Sequence, residues 1–205
     1  PHGYGGILMA NHLRRSIVLA IFFFLLLGLA YPLAGTGLAH LAFPAQSQGS
    51  LTPYGSKLIG QVWKGPGWFQ GRPSATSGPN GKPDPYNAMA SGAANLGPRS
   101  RQLVADVEEQ AALLRREGIS PTEDLVTSSG SGLDPDITPQ AAYAEIPAVA
   151  RARHLPRMLL DRLVAKEVRG PEFGFLGQPY VNVLELNLAL EKLLVQEERA
   201  HGKLR

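Results

Sequence analysis

Between Arg15 and Lys57 the chain carries no Asp, Glu, Lys or Arg, and the centre of that gap, Ile17–Leu33, reads IVLAIFFFLLLGLAYPL. As a helix this stretch rises about 25 Å, close to the roughly 30 Å hydrocarbon core of a bilayer. A helix apolar on every side has no use in a water-soluble fold unless other elements wrap it completely. The pattern therefore predicts one membrane anchor over residues 14–43, with everything after it on one side of the bilayer. Arg14 and Arg15 directly precede the apolar run, and the far flank is free of cations for more than twenty residues. The positive-inside bias then places residues 1–13 in the cytoplasm and the remainder outside it.

Details of the anchor follow from residue type. Tyr31 and Phe43 suit the headgroup level, while Pro32, Gly35 and Gly37 are expected to loosen the helix as it leaves the hydrocarbon. Ala20, Gly28 and Ala34 are the positions where another helix could approach closely. The competing assignment is a cleaved signal peptide, with HLRR as its basic region and small residues around Gly35–Ala42. The apolar run is longer than the usual 7–15 residues of such peptides, which favours a retained anchor. Met9-Ala10-Asn11 resembles an ordinary start, so residues 1–8 are expected to be a tag remnant or upstream translation.

Residues 44–205 suffice for one domain with its own core. Lys and Arg number 20 against 17 Asp and Glu; without Arg14 and Arg15 the balance is 18 to 17, and no basic stripe with interleaved aromatics appears. Nucleic acid is therefore not an expected partner. The absence of Cys excludes disulfides and thiolate metal sites.

The first half of this domain is dense in turns, as in GPGWFQGRPSATSGPNGKPDPYN (Gly65–Asn87), with Asn80-Gly81 a tight turn between short extended pieces. Helical periodicity appears in Arg101–Arg116, where Leu103, Val104, Val107, Ala111 and Leu114 share a face and Gly118 provides a stop. Thr138-Pro139 opens a second helix, which Pro147 should break or kink before Val149–Arg153. A third follows Pro156 with Leu159, Leu160, Leu163 and Val164 inward. A last one begins near Asn182, where Asn182 and Glu185 have capping-box spacing. An extended first half and a helical second half predict an α+β domain carrying a small sheet and several helices.

Motifs for catalysis are missing. Gly78-Pro79-Asn80-Gly81-Lys82 is followed by Pro83 and lacks phosphate-loop spacing. The DKTGT signature of P-type ATPases is absent. Ser131 has Ser129 and Leu133 where a nucleophile elbow needs glycines. His154 and His201 are the only imidazoles after the anchor and have no ligand spacing. Asp124, Asp134 and Asp136 bracket DLVTSSGSGLDPDITP; they could line a cation vestibule, yet Asp-Pro-Asp more simply shapes turns and caps helices. Trp63, Trp68 and Phe69 are expected to pack inward rather than stack on a ligand.

An ordered series of strings nonetheless stands out: YPL at Tyr31–Leu33, GSL at Gly49–Leu51, GSKLIGQ at Gly55–Gln61, WFQGRPSAT at Trp68–Thr76, YNAMASGAANLGP at Tyr86–Pro98, DLVTSSGSGLDPDITPQAA at Asp124–Ala142, VARAR at Val149–Arg153 and YVNVLELNLAL at Tyr180–Leu190. In this order, behind one anchor, they resemble the KdpC family, the C subunit of the bacterial high-affinity potassium-transporting ATPase. Ala93-Ala94 departs from the family's usual glycines before Asn-Leu. The resemblance implies a non-catalytic accessory subunit of the plasma (inner) membrane that aids assembly and stabilises or tunes the pump at its outer face. It implies three partners besides lipid: a channel-like potassium-translocating subunit, a P-type ATPase catalytic subunit and a small single-span subunit. ATP and potassium would be handled by the complex, with no cofactor held by this chain; family descriptions of ATP binding run against the outward orientation read from Arg14 and Arg15. Carried over from the strings, Arg72, Asn95, Asp134 and Asn182 are expected at the docking surface or in the loops supporting it. Asn95 and Asn182 serve equally well as turn or cap residues. Asp134 and Asp136 near a pore mouth would raise the local cation concentration. The alternative is an independent, membrane-tethered outer-face domain that binds or hydrolyses a small ligand.

Overall fold

The computed structural model describes residues 4–200, with side chains from Met9 to Arg199, and divides into two compact units, residues 1–50 and 51–205. Residues 1–3 of the expected non-native start and His201 lie outside the described residues.

The first unit is a helical rod: α1 (Tyr4–Leu25), a π-turn (Leu26–Ala30) and α2 (Tyr31–Ala42), followed after Phe43 by the single turn α3 (Pro44–Ser47). Met9–Ala42 is long and apolar enough to cross a membrane, and no part of that window is buried within the chain. Contrary to expectation, Pro32, Gly35 and Gly37 do not loosen it; the helix runs to Ala42, and the Phe43 N–H still donates to the Ala39 carbonyl at 2.8 Å. Hydrocarbon offers no water to replace main-chain bonds, so glycine alone does not unravel a helix there. The adjustment to proline lies upstream instead. Tyr31 donates its N–H five residues back, to Leu26, widening the turn that the Pro32 ring would otherwise clash with.

In the second unit the strands are minimal. β1 (Leu51–Thr52) and β2 (Gly55–Ser56) form one antiparallel ladder, while β3 (Asp136–Ile137) and β4 (Val181–Asn182) form another, with Asp136 opposite Asn182. The predicted Asn80-Gly81 turn closes a bridge between Ser77 and Pro83, with Gly81 at φ 71°. Regular helix starts at α4 (Arg101–Glu117), capped by the Ser100 hydroxyl and ended by Gly118 at φ 77°. Its inward face is narrower than the periodicity implied. Ala111 and Leu114 are buried, whereas Val104 is 51% exposed. The short α5 (Glu123–Val126) then leads to β3.

Helix α6 (Pro139–Arg153) is the centre of the core, burying Ala141, Ala142, Glu145, Ile146, Ala148, Val149 and Ala150. Thr138 caps it and Pro139 occupies its first turn, but Pro147 does not break it. The missing N–H leaves only the carbonyl of Tyr143, an exposed residue, without its usual donor, and packing of residues on both sides of Pro147 holds the helix together. α7 (Arg157–Glu167) and α8 (Val183–Ala200) pack beside it through Leu160, Val164, Leu186 and Leu190, all fully buried. Asn182 caps α8 by accepting the Glu185 N–H at 3.1 Å. Only half of the capping box forms: the Glu185 carboxylate takes Lys57 at 2.6 Å and also pairs with Arg169.

Candidate functional site

Three of the four residues expected at the site meet in one polar relay. Arg72 pairs with Asp134 at 3.4 Å and donates to the Thr127 carbonyl and hydroxyl at 3.5 and 3.4 Å. Asp134 in turn accepts the Asp136 N–H at 3.1 Å, closing the Asp-Pro-Asp turn. Asp136 accepts from the Asn182 amide at 2.9 Å, and the same amide donates to the Lys57 carbonyl at 2.9 Å. Burial pushes the Asp136 carboxyl up, opposed by this hydrogen bond from Asn182. Asp124 accepts the Thr138 N–H at 2.7 Å, at the start of α6. All three aspartates thus have structural partners, and Arg72 offsets the charge of Asp134. Asn95 stands apart from the relay: it is exposed and held at φ 53°, between Ala94 and Leu96, which line a separate cleft of about 640 Å³.

The serine-glycine string is a clasp. Ser129 Oγ accepts the Gly132 N–H at 2.9 Å and Ser131 Oγ accepts the Leu133 N–H at 3.1 Å. The carbonyls then turn outward to hold the other loops: Ser131 takes Gly92, Leu133 takes Gly60, and Gly132 takes the Ser74 hydroxyl at 2.7 Å. Ser131 is engaged in this turn, and His154 is the exposed left-handed cap of α6 at φ 55°. Among the described residues no group of His, Cys, Asp or Glu is placed to hold a metal ion.

A second cleft, of about 360 Å³, is lined by Gln61, Trp63, Trp68, Tyr86 and Glu145 among others. Phe69 is fully buried, as expected; Trp63 packs on Trp68 with ring centroids 5.1 Å apart, and the Arg153 guanidinium lies 4.2 Å above Trp68. Glu145 is 1% exposed and accepts the Gln70 N–H through Oε2 at 2.8 Å. Its Oε1, the Trp63 indole nitrogen and Gln61 Oε1 are buried without partners. Burial, only partly offset by the Gln70 N–H, holds the Glu145 carboxyl well above its ordinary 4.5. Burial, reinforced by the charge of Asp134, pushes the Tyr86 hydroxyl up to about 12, and it donates to the Arg72 carbonyl at 2.5 Å. The cleft can offer hydrogen bonds to a small polar molecule.

Glu145, Tyr86 and Asn187 escaped sequence reasoning. Glu145 and Asn187 had a readable signal: each is a polar residue in the middle of an apolar helical stripe, where only a satisfied or protonated group is tolerated. Because the raised folded value exceeds that of the unfolded chain, the stabilising contribution of Glu145 is complete below about pH 4.5 and is lost as pH rises through its folded value. Glu145→Gln is therefore expected to flatten the alkaline decline in stability, read as the urea midpoint over a pH series. Parallel curves for the two proteins would show that the carboxyl is not protonated.

Comparison with known proteins covers both units. The family described as "KdpC: K+-transporting ATPase, c chain" matches residues 13–192. The potassium-transporting ATPase KdpC subunit of Methylobacterium nodulans is 50% identical over 198 residues, spanning 90% of this chain and 98% of its own. That of Acidobacterium capsulatum is 46% identical over 188 residues, 89% of this chain and 99% of its own. That of Bradyrhizobium diazoefficiens is 47% identical over 197 residues, 90% and 98%.

Proposed function

The chain belongs to the KdpC family of K+-transporting ATPase c chains, and from that premise we propose that it is a non-catalytic subunit, fixed in the bacterial plasma membrane by α1 and α2, whose globular unit works at the pump's outer face. An accessory role in a potassium pump follows from the family itself. The observation that carries the proposal is that one continuous match, residues 13–192, takes in both the unburied apolar rod and the globular unit. A relative resembling only the domain would leave the anchor unexplained. Arg14 and Arg15 favour a cytoplasmic N-terminus. In this reading ATP and potassium are handled by a P-type catalytic subunit and a channel-like subunit, with a small single-span subunit beside them. The polar relay from Arg72 through Asp134 to Asn182 serves as the frame that positions the docking loops, and exposed Asn95 makes contact itself.

The test is purification of the tagged full chain from its native membrane in mild detergent. The pump's larger subunits should accompany it, and potassium-stimulated ATP hydrolysis should disappear when the chain is removed. A monodisperse chain without partners refutes the assignment. Such a chain with ligand turnover of its own would instead favour a free-standing outer-face domain, which the unpartnered Glu145 and Trp63 atoms in the 360 Å³ cleft otherwise support. Asn95→Gly removes a side chain while keeping the left-handed backbone. It should reduce the assembled fraction severalfold on a native gel and leave thermal unfolding of the chain unchanged. Equal assembly would remove Asn95 from the interface.

A further inference from the structure

The π-turn leaves a main-chain acceptor without a donor in the middle of the anchor. In a regular α-helix the Leu27 carbonyl would accept from Tyr31, four residues on. Here the Tyr31 N–H is given to Leu26 instead. The next residue that a widened turn could recruit, five on from Leu27, is Pro32, which has no N–H. Leu27 therefore loses both helical donors. Gly28 loses its own i+4 donor to the same proline, although Leu33 remains within π-type reach.

The depth of this defect gives it meaning. Leu27 lies twelve residues beyond Arg15, about 18 Å along the axis, which is near the bilayer midplane when Arg15 sits among the headgroups. No water is available there, and an unpaired main-chain group in hydrocarbon is strongly disfavoured. Lipid tails have no donor to give. The neighbouring Gly28 has no side chain to hold another helix away from this stretch: outside the rod's own backbone, a Cβ there would meet only the Phe24 ring, at 3.9 Å.

We infer that the Leu27 carbonyl, exposed beside Gly28 by the π-turn and Pro32, accepts a hydrogen bond from a donor side chain on a transmembrane helix of another pump subunit. This rests on the accessory-subunit reading and names the chemistry of the partner: a helix carrying Ser, Thr, Asn, Gln or a comparable donor at mid-membrane depth. A second copy of this chain does not fit. Between Ile17 and Ala34 its only donor side chain is the Tyr31 hydroxyl, one turn nearer the end of the rod, where aromatic rings favour the interface. The bond also supplies what a lone apolar helix otherwise lacks, a directional reason to choose one neighbour over lipid.

Four variants and one spectroscopic label test this in the full chain, purified with its complex. Pro32→Ala returns an N–H to the rod, and Gly28→Leu keeps the proline but holds a neighbouring helix away from the carbonyl. Each should lower retention of the pump subunits in detergent about three- to tenfold, the range expected for one interhelical hydrogen bond. Tyr31→Phe should have no effect. A 13C=18O carbonyl placed at Leu27 by semisynthesis should absorb at lower frequency in the complex than in the chain alone. An unshifted band, or full retention by both Pro32→Ala and Gly28→Leu, overturns the inference. Loss on Tyr31→Phe, or Gly28→Cys linking to a second copy, overturns the choice of partner. If the unmodified chain retains no pump subunits at all, the accessory-subunit reading falls; retention with an unshifted band sinks this inference alone.

Discussion

Replacing Asn187 with leucine is expected to destabilise the globular unit by about 3 kcal/mol, although leucine has nearly the same volume and belongs by polarity in the stripe of Leu184, Leu186 and Leu190. Asn187 is fully buried and acts as a strand edge for Phe69: its Nδ2 donates to the Phe69 carbonyl and its Oδ1 accepts the Phe69 N–H, both at 2.9 Å. Phe69 is itself fully buried and sits in an irregular segment, where no ladder can replace those bonds. Leucine would leave both groups dry and unpaired, at roughly 1–3 kcal/mol each, offset in part by the gain in apolar packing. The measurement is a urea titration followed by tryptophan fluorescence, since Trp68 adjoins Phe69. A loss under about 1 kcal/mol would show that the segment re-pairs elsewhere.

The second large effect is expected at Gly132, the pivot of the serine-glycine clasp. Its φ is +67°, and an added Cβ would lie 2.6 Å from Thr76 Cγ2 and 2.7 Å from the Gly92 carbonyl oxygen. Gly132→Ala combines left-handed strain of about 1–2 kcal/mol with overpacking of about 1–3 kcal/mol. The main-chain bonds from Gly92 to Ser131 and from Gly60 to Leu133 run through the same turn, so they should open together. Hydrogen exchange at the Gly60 and Gly92 amides should accelerate by an order of magnitude or more, with a matching fall in the unfolding midpoint. Gly130→Ala is the control, because a Cβ there meets nothing within 4 Å and the backbone is ordinary. Equal exchange in both variants would mean that the clasp does not hold the loops.

The apolar rod, the α+β character and the four long helices of the globular unit were legible in the sequence because each rests on a local signal. A charge-free apolar run, the Thr138 and Asn182 caps, the helix start after Pro156 and the Gly118 stop need no knowledge of distant residues. At Pro32 and Pro147 the local rule is correct but incomplete. In α6 packing on both sides of Pro147 outweighs one lost hydrogen bond, and in the anchor the turn before Pro32 widens instead of breaking. Val104 fits the helical period, yet nothing in the fold covers it. Arg72, Asp134 and Asn182 came from family strings, whereas their connection through Asp136 and Lys57 depends on chain closure that no local pattern encodes. Glu145 and Asn187 were hidden because a helical stripe averages over its exceptions.

The bonds that close the globular unit are long in sequence. Phe69 waits for Asn187, 118 residues later; Lys57 waits for Glu185 and Tyr54 for Glu191, at separations of 128 and 137. At common synthesis rates the first of these intervals lasts about 6 to 24 s. Until α8 leaves the ribosome the segment behind the anchor has no finished core to resist threading. In the outward orientation proposed above, the late-made helix that completes the structure would keep the nascent polypeptide in the unfolded state that a secretion channel accepts, and lock it only after passage.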